Sequence, residues 1–491
     1  MKQNVENLIN YAITHKVIAA RDYRYVKNQL YNLLKIEGSN EKITPAKLKY
    51  PSEALNNILD KLVLAKELED NIVARDNFDT KIMNVFAKMP SVIQNEFDEM
   101  RKVDIKQATT SLYNYAINTN YIRQDRIDKN IFFQGNSKYG DLEITINLSK
   151  PEKDPAAIKA AAASKSTNYP LCVLCPENEG FSGNARRDAR DQHRLIAFNL
   201  LDETWYLQYS PYIYYPEHLI VLKEEHEPMS INEKTFRRLL HLVKIFPHYF
   251  FGSNADLPIV GGSILNHEHY QGGRYEFPIE KAEVLYREVK DGVTFTLIDW
   301  PLATIRLRGK SIDKLVLYAK SIFNSWKNYN NNELNLKSHT EGERHHTVTP
   351  IARFKNEAYE LDLILRSNIT TKEHPLGLFH PESTKWHIKK ENIGLIEAMG
   401  LAILPGRLLT EFAELKEYLF NGKALSKNAV KHQEWLNTFK DDVNLTNYDA
   451  VINRELVQKF ASILEDCHVF KFAPNLDPFI SFLKEVLNNE I

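Results

Sequence analysis

Cysteine is scarce in this chain: three residues, Cys172, Cys175 and Cys467, among 491. That excludes a disulfide framework and makes a reducing cytoplasm the expected setting. No apolar run is long enough to cross a bilayer. The opening MKQNVENLINYAITHKV lacks the charged-then-apolar layout of a secretory signal. Charge of one sign is missing as well. Lys+Arg 63 nearly balances Asp+Glu 64, which argues against nucleic acid or a membrane surface as a general partner. Any phosphate recognition must be local. No short-period repeat is visible.

What is present is ordinary in bulk and unusual in detail. Apolar residues at 43% and charged residues at 26% describe a soluble globular protein with room for two or three domains. Residues 1 to about 135 read as mostly helical, with Ser52 as an N-cap and Leu55, Ile58, Leu59 and Leu62 on one stripe. Beyond that, alternation predicts strands at 141–147, 205–208, 218–222, 304–308, 345–350 and 359–365. The Ala/Lys/Ser stretch 156–166 reads as a short helix or linker. Ser230 and Glu233 predict a capping box for a helix carrying Phe236, Leu239, Leu240 and Val243 and ended by Pro247. A further helix is expected from Ile393 to about Leu404. Strands and helices alternate without a βαβ rhythm, so the fold class is α+β.

The 16 histidines lead to the chemistry. His267, His269 and Gln271 recur at every second residue, so on a strand they project to one face, with Glu268 and Tyr270 on the other. Gly272 and Gly273 follow, where backbone can approach a ligand closely. A neutral imidazole is a nucleophile near neutral pH. Attack on phosphorus gives a phosphoramidate reactive enough to pass its group to a second acceptor. A neighbouring carbonyl can fix the tautomer, and a glutamine amide can hold a non-bridging oxygen. The bland alternative is a strand of buried, satisfied histidines.

Cys172 and Cys175 have the spacing of half a tetrahedral zinc site, with His226 and His267 as candidate further ligands. A redox pair, or two buried thiols, fits the same spacing, and His226 also reads as a solvated loop residue. Lys150, Lys153, Arg186 and Arg187 either neutralise phosphates or are plain surface charge. His345 and His346, after Arg344, read as a second metal position with Glu280 or as ordinary strand histidines.

At these residues the chain resembles the galactose-1-phosphate uridylyltransferases of the histidine-triad superfamily. Their usual string, His-Pro-His-x-Gln, stands here as His267-Glu268-His269-Tyr270-Gln271. The Glu and Tyr, with the run Tyr169 to Asn178 around the cysteines, resemble the divergent branch of Gram-positive-type bacteria. The likeness runs from about Leu142 to Arg407. It implies histidine-triad-like antiparallel sheets with flanking helices, in two related halves plus a helical extension. The expected division is an extension at 1–135, a half carrying the active strand at 136–290, and a second half with C-terminal helices at 291–491.

The resemblance further implies that His269 attacks the α-phosphorus of UDP-glucose and that Gln271 steadies the uridylylated intermediate. His267 lies beside the nucleophile and is a zinc ligand with Cys172, Cys175 and His226. Asn254, Asn199 and Ser263 become substrate contacts, with Lys150 and Lys153 in place of the family's paired arginines. Lysines there forgo a bidentate phosphate contact. Lacking the proline, the backbone between the histidines should be less constrained. The better-known branch's iron site is partly matched by Glu280 and His346. The expected reaction transfers UMP to galactose 1-phosphate with structural zinc, no organic cofactor and a homodimeric assembly. The competing readings are a dinucleoside-polyphosphate phosphorylase or hydrolase, and a non-catalytic zinc-containing nucleotide-binding protein.

Overall fold

The computed structural model describes residues 1–38, 41–149, 168–184, 187–262 and 264–489. The chain forms two compact units. One contains Met1–Lys129 and Ser149–His226, the other Asn130–Leu148 and Glu227–Ile491.

Helices dominate the first unit: Lys2–Thr14, Tyr23–Leu33, Ser52–Leu64, Ile72–Asn84, Pro90–Val103 and Ile105–Asn118. The stripe expected from the sequence is buried, and Leu55, Ile58 and Leu62 join Val5, Leu8, Leu30, Ile82 and Phe86 in one core. Burying such side chains contributes about 1.5–3 kcal/mol each. Ser52 is the first helical residue and not the N-cap; Pro51 precedes it. The N–H groups of Lys49 and Tyr50 instead bond Glu53 Oε1, each at 2.9 Å. Three antiparallel strands, Ile196–Leu200, Glu203–Tyr209 and Leu219–Lys223, complete this unit.

The second unit is built on an antiparallel array ordered His269–Gly273, Phe250–Gly252, His346–Lys355, Ala358–Ser367, Thr304–Gly309, Val293–Ile298 and Val284–Lys290. Helices Glu233–Ile245 and Ile312–Lys327 pack on each other and on strand His346–Lys355. Phe236, Leu239, Leu240 and Val243 are all 0% exposed, as their spacing predicts. The cap differs from the expectation. Asn232 is the N-cap and Thr235 completes the box, because Ser230 is drawn away: its carbonyl accepts from the Thr235 hydroxyl and its N–H donates to Glu268.

A separate sheet joins the hairpin Ile131–Ser137/Gly140–Asn147 to Leu401–Pro405, which runs parallel to the second hairpin strand. The helix expected from Ile393 to Leu404 shrinks to Leu395–Ala398. Gly400 stops it at φ +102°, a conformation open to glycine at little cost. The apolar run beyond it pairs as a strand. The architecture is α+β.

Candidate active site and metal centre

The histidine strand begins at His269, so His267 and Glu268 precede it. Its neighbour Phe250–Gly252 is three residues long and reaches only Gln271, Gly272 and Gly273 of the histidine strand. Glu268 and Tyr270, expected to share a side, nevertheless stay together. They bond each other, hydroxyl to Oε1, at 2.7 Å.

His269 Nδ1 lies 2.7 Å from the carbonyl oxygen of His267. A carbonyl only accepts, so Nδ1 carries the proton and Nε2 keeps its lone pair. The tautomer expected of a nucleophile is thus set by the chain two residues upstream. Burial pushes the His269 imidazole down to about 4, against the opposing pull of the His267 carbonyl. His269 is 5% exposed and His267 0%, while Gln271 is half-buried. The ring is therefore neutral, oriented and largely desolvated.

The close approach expected at the glycines is made by the protein itself. A Cβ on Gly272 would stand 2.6 Å from Phe251 Cδ1 and 2.7 Å from the Phe250 carbonyl. Gly272 makes room for its neighbouring strand.

Asn254 follows the Phe250–Gly252 strand and is buried. Its Oδ1 accepts from Leu395 N–H at 2.9 Å, which leaves its amide nitrogen against Gly262, where a Cβ would come within 2.6 Å. Leu395 carried no sequence signal for this role. Asn199, in the first unit, is exposed, and its Oδ1 accepts from Asp202 N–H across a hairpin turn at 3.1 Å. Lys150, Lys153, Arg186 and Ser263, like the stretch 156–166, lie outside the described residues. Arg187 donates to the Leu171 carbonyl at 2.8 Å and so braces the cysteine loop.

That loop brings three ligands together. Cys172 and Cys175 Sγ are 3.4 Å apart, and Cys175 Sγ is 3.1 Å from His226 Nδ1. Backbone N–H groups of Cys172 and Leu174 point at the sulfurs at 3.3 Å. Asn178 Nδ2 ties the carbonyls of Cys172 and Cys175 together at 2.9 and 2.8 Å. Two sulfurs and an imidazole nitrogen within 4.8 Å of one another match the donor set of tetrahedral zinc. Asn178 is the supporting residue that spacing alone did not reveal.

The second metal position is not assembled. Both nitrogens of His346 are engaged, Nδ1 with Ser367 Oγ and Nε2 with the Tyr329 carbonyl, each at 3.1 Å. Glu280 bonds Phe277 N–H at 3.0 Å and pairs with Lys355 at 3.4 Å. Among the described residues, no cluster of three or more His, Cys, Asp or Glu ligands includes either one.

Comparison with known proteins fits this geometry. The profile "Galactose-1-phosphate uridyl transferase, N-terminal domain" matches residues 18–228, and its C-terminal counterpart matches 242–437. The galactose-1-phosphate uridylyltransferase of Clostridium perfringens (strain 13 / Type A) is 45% identical over 477 residues, 95% of each chain. That of Bacillus subtilis (strain 168) is 46% identical over 486 residues, 96% of this chain and 94% of its own. Yeast Ap4A phosphorylase Apa2 aligns with 63% of this chain and 96% of its own at 11% identity and a TM-score of 0.33, too low to bear on the fold. The two profiles and the near full-length relatives place this chain in the galactose-1-phosphate uridylyltransferase family.

Proposed function

We propose that this chain transfers UMP from UDP-glucose to galactose 1-phosphate through a uridylylated His269. The observation that carries the reading is the 2.7 Å bond from His269 Nδ1 to the His267 carbonyl, in a family named for this transfer. In the first half-reaction His269 Nε2 forms an N–P bond to the α-phosphorus. The bond from that phosphorus to the bridging oxygen breaks, and glucose 1-phosphate leaves with the electron pair. In the second, a phosphate oxygen of galactose 1-phosphate attacks the same phosphorus and the N–P bond breaks, giving UDP-galactose. The leaving sugar phosphate is a stable anion, so little general-acid help is required. Positioning and charge stabilisation do most of the catalysis. Gln271 donates its amide to a non-bridging oxygen, and Asn254 presents its amide nitrogen to substrate.

Zinc is part of this proposal in a structural role, held by Cys172, Cys175 and His226, with His267 as the fourth ligand assigned from the sequence. A bound ion fixes the loop and needs no part in the chemistry. The proposal also takes in the division at residues 135 and 290, a homodimer and a cytoplasmic setting. Among the described residues, no helix is long and apolar enough to cross a membrane.

The test is intact-mass and peptide mass spectrometry after mixing with UDP-glucose. The expected result is a gain of one uridylyl group on the peptide containing His269, absent in His269→Gly, and cleared by galactose 1-phosphate faster than by phosphate or water. An unmodified protein would refute the covalent route. Clearance by phosphate or water alone would reassign the chain to dinucleoside-polyphosphate chemistry.

A further inference from the structure

The family string has a proline between its histidines; this chain has Glu268, and the expected looseness is not observed. Proline has no N–H. Glu268 has one, and it donates to the Glu227 carbonyl at 2.7 Å. One turn of chain away, Met229 N–H donates to the Leu265 carbonyl at 2.9 Å. The peptide linking His267 to Glu268 is therefore held at both ends. Its N–H is on Glu227, and its C=O accepts from His269 Nδ1. Donation at one end of an amide polarises the acceptor at the other, so the two bonds reinforce each other.

The side chain of Glu268 adds a second anchorage on the face away from the histidines. It is 3% exposed. Its Oε2 accepts from Ser230 N–H at 3.1 Å. Its Oε1 accepts from the Tyr270 hydroxyl at 2.7 Å and stands 3.5 Å from Arg238 Nη1. Arg238, on helix Glu233–Ile245, also reaches the Tyr270 oxygen at 3.4 Å. Glu268, which departs from the family string, and Tyr270, at its variable position, thus belong to one buried network with a helix arginine. Rotating the 267–268 peptide away from His269 would break the main-chain bond and pull the carboxylate off Ser230 and Tyr270.

We infer that Glu268 is a positioning residue for the transfer. Through its N–H and its carboxylate, with Tyr270 and Arg238, it fixes the His267 carbonyl that keeps the proton on His269 Nδ1 and the lone pair on Nε2. This rests on the reading of His269 as the nucleophile. Glu268 touches neither substrate nor the reacting atoms; it acts through the His267 carbonyl.

The experiment compares single-turnover uridylylation by UDP-glucose in the wild type, Glu268→Gln, Glu268→Pro and Tyr270→Phe, alongside melting temperatures and long-range proton–nitrogen spectra of the histidine rings. Glu268→Pro rebuilds the family string but removes both anchorages. It should lose about 100-fold in the uridylylation rate constant, the scale of a small misplacement of a reacting group, with little change in KM for UDP-glucose. Its His269 signal should shift toward a mixture of tautomers. Glu268→Gln keeps the backbone N–H and one acceptor oxygen for Ser230 N–H, while its amide NH2 can donate to the Tyr270 oxygen, so it should stay within about tenfold of the wild type. Tyr270→Phe tests the side-chain anchorage if Glu268→Pro does not fold, and should slow uridylylation by about tenfold at a nearly unchanged melting temperature. Wild-type rates in folded Glu268→Pro or in Tyr270→Phe, or a wild-type tautomer in either, would overturn the inference. An unmodified His269 in the wild type would instead remove the proposed function, and this role with it.

Discussion

The indole of Trp326 lies over the imidazole of His346, ring centroids 4.3 Å apart and planes inclined by 15°. A carbonyl, Tyr329 O, accepts from Nε2, so Nδ1 accepts from the Ser367 hydroxyl. The ring is satisfied as a neutral group, and burial pushes its pKa down to about 4. In the unfolded chain it titrates near 6.5. The unfolded state therefore binds the extra proton between those values, and stability falls as pH drops from about 6.5 to about 4, by roughly 3 kcal/mol for this residue. Urea unfolding at a series of pH values checks this. His346→Phe should show a shallower acid slope. The slope should not vanish, because burial also pushes His387 down to about 3 and His468 to about 4.

Asp362 is 0% exposed and held by two arginines: Arg306 at 2.7 and 2.9 Å and Arg353 at 2.9 Å. Burial raises its carboxyl and the two guanidinium groups more than offset that, so it stays below the ordinary carboxylate range. Asp362→Ala removes the nearest carboxylate of the buried Arg353 and of the part-buried Arg306, and should cost about 3 kcal/mol in chemical denaturation.

Gln271→Ala removes the proposed amide donor and leaves the nucleophile in place. Loss of a single donor of this kind costs roughly 100- to 1,000-fold in rate. Rapid-quench measurement should show that loss in both half-reactions, with the adduct still mapping to His269.

Cys175→Ser should lose bound zinc on metal analysis after dialysis, where the wild type retains about one equivalent per chain. Its melting temperature should fall, and wild-type protein treated with a strong chelator should fall with it. A wild type free of metal at full stability would leave the cysteines as plain buried thiols.

Gly272→Ala places a methyl into the Phe250 carbonyl and the Phe251 ring. Neither can retreat easily from a central strand, and overpacking of this kind costs about 1–3 kcal/mol. Thermal unfolding should register it, and activity should drop because Gln271 and His269 share the displaced strand.

Part of the local pattern is legible in the sequence: alternation groups Glu268 with Tyr270, and in the structure their side chains bond each other, although the strand begins two residues late. The errors fell where tertiary partners override local signals. Ser230 has the look of a cap but is spent on Glu268 and Thr235, so Asn232 takes the role. The apolar run after Gly400 suits a helix until a distant strand claims it. A carboxylate–histidine–histidine chain, Glu411 to His432 at 2.8 Å and His432 to His387 at 2.7 Å, was invisible because its members are far apart in sequence.

The strand Leu401–Pro405 finds its parallel neighbour in Gly140–Asn147. During synthesis that early hairpin leaves the ribosome long before the strand that will cover its open edge. Non-local parallel pairing is slow, and an uncovered edge invites association with other chains. Polypeptides halted before residue 401 should therefore clump, and a chaperone guarding the nascent hairpin would raise the yield of finished enzyme.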